Sequence, residues 1–272
     1  MDKLYEEYKL NYELNKYVDC VWKEQHSNSI SNHNKDFLIV PDNTVELVFT
    51  SNTMYRKSSD TEKIVKIKSH LSGLKTKAQN INVTGNILLS VRIKPYSLYK
   101  FTKQNLKHTI DQSILIQDVF GTDISILEHR LFEAQNETQQ LQLIQTFLMK
   151  RLSRINKNDM VFDYTIQEIL KTKGQINFKD LAFKTNTSLK TIERKFITNL
   201  GLTPKKYCRI IRLFHTLKIT NNHINTKLSS IGFDNGFYDQ THLYKEIKQF
   251  TSMKPKDFFK SDRRFQIPIF SS

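Results

Sequence analysis

The sequence predicts an α+β chain, with a β-rich N-terminal half that closes with two helices and an all-helical C-terminal half. Three observations carry that expectation. Short runs rich in β-branched residues, broken by turn residues, fill the stretch before Pro95. After Ile114 the apolar spacing changes to a helical period. Positive charge gathers where the helices are. Of a net +15, residues 1–160 hold 22 Lys and Arg against 18 Asp and Glu, whereas residues 161–272 hold 20 against 9. An AT-rich genome would also enrich lysine, but the asymmetry favours a polyanion partner for the second half and another task for the first.

The N-terminal elements follow in order. "DFLIVPDNTVELVFT" has two short β-rich runs separated by Pro41-Asp42-Asn43, a turn signal. "KIVKIKSHLSG" sets Ile64, Lys66 and Lys68 against Val65 and Ile67, and "NVTGNILLSVRIKP" ends in the alternation Val91-Arg92-Ile93-Lys94. Several short strands in this space suggest a sandwich or small barrel. "DISILEHRLFEAQ" and "ETQQLQLIQTFLMKRLSRI" then read as amphipathic helices, the first lined by Ile124, Leu127 and Leu131, the second by Leu141, Ile144, Phe147, Leu148 and Leu152. Local packing is the expected cover for the Leu141/Ile144/Leu148 stripe, with a homodimer seam as the other way to bury it. Polar "NKND" marks the boundary. An N-terminal domain is expected over 1–155, a linker over 156–160, a second domain over 161–262 and a tail over 263–272.

In the second half, "MVFDYTIQEILKTKG" predicts a helix stopped by Gly174. Asn177 opens a short helix holding Phe178, Leu181 and Ala182, and a turn at Thr185-Asn186-Thr187 leads to Ser188, an N-cap residue. The next helix turns Leu189, Ile192, Phe196 and Leu200 inward. Pro204, at a tolerated first position, begins a longer helix lined by Ile210, Leu213, Phe214 and Leu217. A further short helix near Lys227–Gly232 leads through Gly236 to Asp239, the N-cap of a helix with Leu243, Ile247 and Phe250 inside and Thr241, Lys245 and Lys248 outside.

"INFKDLAFKTNTSLKTIERKFITNLGLTP" and "KLSSIGFDNGFYDQTHLYKEIKQFTSMKP" thus repeat one device: short helix, turn, longer helix, then a proline-containing stop. That is the helix-turn-helix, whose second helix fits a major groove about 12 Å wide. Lys190 and Arg194 point outward from the first copy, as Thr241 and Lys245 do from the second. Arg194 can donate two hydrogen bonds to guanine O6 and N7, and Lys245 can do so less directionally. Taken singly, each of these cations also fits a solvated helix face.

The stretch "IGFDNGFYDQTHLYKEIKQFTSMKPKDF" resembles the second helix-turn-helix of the AraC/XylS family of bacterial transcription regulators, and "TSLKTIERKFITNLGLTPKKYCRIIRL" looks like that family's first motif and linker helix. The resemblance covers about 161–262. It implies base-reading sites at Lys190, Glu193 and Arg194 in the first helix and at Gln240, Thr241, His242 and Lys245 in the second. Gly236-Phe237 matches the turn between the two helices of the second motif, while Ser252 stands where the family has glycine. "PDNTVELVFT" and "VRIKPYSLYKF" are similar to a cupin-like domain found before such motifs, which in the wider family binds an effector or makes dimers. A sequence-specific DNA-binding regulator is therefore expected, with Lys179, Lys205, Lys206, Lys248 and Lys256 on phosphates.

Other chemistry finds little support. The eight histidines show no ligand spacing, and no nucleotide-binding glycine motif occurs, so neither a metal nor a cofactor is expected and no catalytic residue is assigned. Cys20 and Cys208 cannot supply the four-cysteine zinc cluster of alkyl-transfer repair proteins that carry similar motifs. Both Cys208 and the lone Trp22 read as buried structural residues. The charged start "MDKLYEEYKL" and the absence of a long apolar run predict a cytoplasmic protein that leaves membranes alone. Double-stranded DNA is the expected partner; RNA polymerase, a small-molecule effector and a second copy of the chain are further candidates. Two readings stay open beside this one. The N-terminal domain could be an enzyme or carbohydrate-binding module tethered to nucleic acid, or the chain could be an architectural DNA binder with little sequence preference.

Overall fold

The structure is a computed structural model that describes residues 5–24, 35–50, 54–58, 64–84, 87–222 and 236–260. The chain divides into two compact units. The first takes the chain through Asn158 except for Leu38–Asn43 and Lys75–Gln79, and those two segments join Asp159 onward in the second.

The first unit is antiparallel β followed by helices. One sheet holds six strands in the order β1 (Tyr5–Tyr8), β2 (Val18–Glu24), β9 (Ile87–Ile93), β4 (Val45–Thr50), β7 (His70–Ser72) and β10 (Ser113–Leu115). A four-stranded sheet runs β3 (Lys35–Ile39), β8 (Gln79–Thr84), β5 (Met54–Ser58) and β6 (Ile64–Ile67). Register explains the six-stranded sheet. Val21 pairs with Val91, and Val91 with Leu47, while Leu47 pairs with Leu71, so one face is a continuous layer of buried aliphatics. Because side chains alternate, the other face carries Trp22, Glu46, Ser90 and Arg92. Glu46 is its hub. Its carboxylate accepts from Trp22 Nε1 at 2.9 Å, Ser90 Oγ at 2.7 Å and Arg92 Nε at 2.8 Å.

Arg92, which the alternation sets on the polar strand face, is 4% exposed, and its ion pair with Glu46 makes that burial tolerable. One expectation changes here. Trp22, expected in the apolar core, is half-buried and hydrogen-bonded on the polar face.

The helices α1 (Ile116–Phe120), α2 (Thr122–Glu133) and α3 (Glu137–Ile155) complete the unit. Ile124, Leu127 and Leu131 of α2 are buried, as are Ile144, Phe147 and Leu148 of α3; Leu141 and Leu152 are half-buried. Ile144 and Leu148, the centre of the stripe that could have formed a dimer seam, are therefore covered within this unit. Arg151 fastens α3 by donating to the carbonyls of Phe101 at 2.9 Å and Phe120 at 3.2 Å.

The second unit is built from α4 (Met160–Lys171), α5 (Phe178–Lys184), α6 (Leu189–Leu200), α7 (Pro204–Asn222), α8 (Gln240–Thr251) and α9 (Pro255–Lys260). Its core is partly aromatic. Phe162 and Phe196 meet edge-on at 4.9 Å, and Phe196 lies 6.3 Å from Tyr207, so α4, α6 and α7 share one contact. Within the same unit the Ala78 N–H donates to the Phe250 carbonyl at 2.7 Å.

Most expected inward stripes are buried, with two corrections. Leu189 is 46% exposed, because it is the first residue of α6 and lies beyond the reach of the core. Phe178 and Ala182 of α5 and Phe214 of α7 are half-buried rather than interior. The short helix expected near Lys227–Gly232 lies outside the described residues.

Candidate nucleic-acid interface

The candidate interface rests on α6 and α8, and each begins on a side-chain cap. Ser188 Oγ accepts from the Thr191 N–H at 3.1 Å, and Asp239 Oδ1 accepts from the His242 N–H at 2.6 Å. Such caps satisfy donors that the first turn leaves without intrahelical partners. The turn before α6 uses Asn186 at φ 48°, a left-handed conformation that asparagine tolerates. Before α8 the chain turns at Gly236, with φ 75°. The positive φ favours glycine there, while a Cβ, 2.6 Å from the flexible Gln175 side chain, would only have to push that side chain aside. Phe237, 3% exposed, then plugs the core.

The inner faces lock both helices. Lys195, on the inner side of α6, gives Asp159 two hydrogen bonds of 2.8 Å, and Asn199 adds one of 3.1 Å. Burial pushes the Asp159 carboxyl up, but the hydrogen bonds from Lys195, the Phe162 N–H and Asn199 prevail and hold it below the usual carboxylate range. On α8, Leu243, Ile247 and Phe250 are buried, and so is Glu246. Arg209 of α7 answers Glu246 with a fork, Nη2 at 2.8 Å and Nε at 3.1 Å from Oε1, while its guanidinium lies 5.3 Å from the Phe250 ring centre. Burial also pushes the Cys208 thiol of α7 up to about 12, as suits a structural cysteine.

The outer faces are different in kind. Lys190, Glu193 and Arg194 on α6 are exposed, as are Gln240, Thr241 and Lys245 on α8. Among the described residues, Lys190, Arg194 and Lys245 engage in no ion pair, in contrast to Lys195 one position beyond Arg194. Lysines on one helix are thus sorted by angle into a structural one and an available one. Lys179, Lys205, Lys206, Lys248 and Lys256 are exposed as well. His242 is the exception among the expected base readers. Its ring packs 5.5 Å from Phe237, and its Nε2 lies 3.9 Å from Glu246, which draws it toward the inner side of the helix.

Sequence reasoning missed Tyr244 and Arg209. Gln240, Thr241, Tyr244, Lys245, Lys248 and Pro255 line one open groove beside α8. An aromatic residue four positions after Gln240 was the available signal for Tyr244. Arg209 gave none, because its partner Glu246 is 37 residues away across the second turn.

The 19 residues of α7 extend about 28 Å at 1.5 Å per residue, and the helix packs against α6 through Tyr207 and against α8 through Arg209.

Comparison with known proteins gives two family matches. Residues 181–261 match a family described as a helix-turn-helix domain, and residues 6–115 match one described as a domain of unknown function, DUF6597. Among solved structures the chain is similar to ToxT from Vibrio cholerae O395 bound to (E)-4-(8-methylnaphthalen-1-yl)but-3-enoic acid. The identity is 13% over 85% of this chain and 96% of that one, with a TM-score of 0.46. It is also similar to ToxT from Vibrio cholerae in a P21 crystal form, at 13% identity over 85% and 95% of the two chains, with a TM-score of 0.44. No curated protein matches the chain in sequence. Among the described residues, no group of three or more His, Cys, Asp or Glu could hold a metal ion, and no helix is long and apolar enough to cross a membrane.

Proposed function

We propose that the chain, whose residues 181–261 match a helix-turn-helix domain, is a DNA-binding transcription regulator of the AraC type and reads its operator as follows. Helices α6 and α8 enter successive major-groove segments on one face of the duplex. Arg194 takes a guanine through O6 and N7, and Lys190 and Glu193 contact neighbouring base edges. Gln240, Thr241 and Lys245 read the second segment, with His242 at its edge. Lys179, Lys205, Lys206, Lys248 and Lys256 hold phosphates and supply the salt-dependent part of affinity.

The observation that carries this reading is the matched pair of capped helices, each with its inner face tied down and its outer cations outside any described ion pair. Fixed helices with uncommitted donors suit base readout, because little ordering remains to be done on binding.

In this proposal the β-rich unit serves regulation without catalysing a reaction, and the protein acts in the cytoplasm, where its DNA is. A rise in melting temperature on screening small-molecule metabolites would identify an effector of that unit.

The deciding experiment is site selection from fragmented genomic DNA with the wild type and an Arg194→Ala/Lys245→Ala double variant. Two blocks of preferred sequence one helical turn apart, degraded in the variant, are expected. Enrichment without sequence preference would favour an architectural binder, and a motif untouched by the variant would remove these two helices from base reading.

A further inference from the structure

Gln240 is the first residue of α8, and Tyr244 stands one turn later on the same exposed face. Gln240 Nε2 donates to the Tyr244 hydroxyl at 2.7 Å, and both side chains line the groove shared with Thr241, Lys245, Lys248 and Pro255. An exposed glutamine at a helix start ordinarily samples many rotamers and either amide orientation. Here the phenol holds the amide.

We propose that Tyr244 is a positioning residue that sets Gln240 to recognise adenine in the major groove; this rests on the placement of α8 proposed above. The argument is one of donor and acceptor accounting. A glutamine amide has two N–H donors and a carbonyl acceptor. With one N–H given to Tyr244, it retains one N–H and Oε1. Those are the groups adenine requires, one to donate to N7 and one to accept from N6. Guanine presents two acceptors at the same edge, O6 and N7, and so meets an amide with only one donor left. The tether therefore leaves adenine recognition whole and removes the amide's alternative of offering both hydrogens. Tyr244 acts through Gln240 and keeps its ring beside the groove.

The test compares selected motifs and competition binding for wild type, Gln240→Ala, Tyr244→Phe, the Gln240→Ala/Tyr244→Phe double variant and Lys245→Ala. Phenylalanine keeps the ring and the exposed position, so thermal unfolding of Tyr244→Phe should match that of the wild type. Gln240→Ala is expected to lower adenine-over-guanine discrimination at one base pair by about 5- to 150-fold, the range of a bidentate contact. Tyr244→Phe is expected to lower it at the same base pair by about 3- to 10-fold, with binding to non-specific DNA unchanged. In the double variant the loss should equal that of Gln240→Ala alone, because the phenol acts only through the amide. Full adenine preference in Tyr244→Phe, a loss spread over every position, or an added loss in the double variant would overturn the assignment. Lys245→Ala separates the two levels. If it alters the motif while Gln240→Ala does not, this inference alone fails. If neither alters it, the placement of α8 fails and takes the inference with it.

Discussion

Asp159 and Lys195 join the start of α4 to the inner face of α6, with both carboxylate oxygens 2.8 Å from the ammonium. The same carboxylate caps α4 through the Phe162 N–H at 3.1 Å. One residue at the head of the helical bundle thus ties α6 to the start of α4.

That arrangement makes stability depend on acid. The Asp159 carboxyl titrates below its ordinary range in the folded chain. The stabilisation is therefore complete above the unfolded carboxylate pKa, about 4, and is lost as pH falls through the lower folded value. Asp159→Asn keeps a capping oxygen but gives up the charge, and should cost about 1 kcal/mol at neutral pH. Urea unfolding from pH 7 to pH 3 should show the gap between wild type and variant closing at the acid end. A gap constant over that range would mean that the ion pair contributes nothing.

Arg194 and Lys179 should fail in different ways. Arg194→Ala is expected to cost about 1–3 kcal/mol at a single base pair and to relax preference there. Lys179→Ala should weaken all sequences alike and reduce the salt slope by about 1. Binding titrations on the selected site and on a scrambled one, at three salt concentrations, separate the two patterns. Equal losses on both DNAs for Arg194→Ala would make it a phosphate contact.

Arg209 and Glu246 form the matching lock on α8. Glu246 has a 9% exposed side chain, so removing Arg209 would strand a carboxylate. Arg209→Met should cost about 3–5 kcal/mol, whereas the Arg209→Met/Glu246→Met double variant should cost much less than Arg209→Met and Glu246→Met together. Denaturant melts of the four proteins give the coupling. Additive losses would show that the fork is not the link between α7 and α8.

These locks explain what the sequence could and could not reveal. Short-range signals were legible. Ser188, Asp239 and Asn177 cap the helices they precede, and the spacing of Leu243, Ile247 and Phe250 named a buried stripe. Angular arithmetic on α6 and α8 placed Lys190, Arg194, Thr241 and Lys245 outside for the same local reason. Partners distant in the chain were illegible. Nothing around Lys195 distinguishes it from Lys190, because its partner lies 36 residues earlier. Arg92 and Glu46 meet only through the register of β4 and β9. Periodicity also overreached at the ends of elements, where Leu189 and Phe178 continue an apolar pattern past the edge of the core.

Ser252 offers a gain in stability rather than a loss. It ends α8 at φ 59° and ψ 10°, in the left-handed region, and its N–H donates to the Lys248 carbonyl at 2.9 Å. A residue with a Cβ meets a steric penalty there of about 1–2 kcal/mol, which glycine avoids in exchange for greater freedom in the unfolded chain. The side chain is exposed, so its removal forfeits little packing. Ser252→Gly should therefore stabilise the helical unit by about 0.5–1 kcal/mol, while Ser252→Val should destabilise it by at least as much. Both changes lie at the far end of α8 from Gln240, and the selected DNA motif should stay the same. Thermal melts paired with site selection test both halves of the claim; a less stable glycine variant would mean that the Ser252 hydroxyl contributes more than the strain costs.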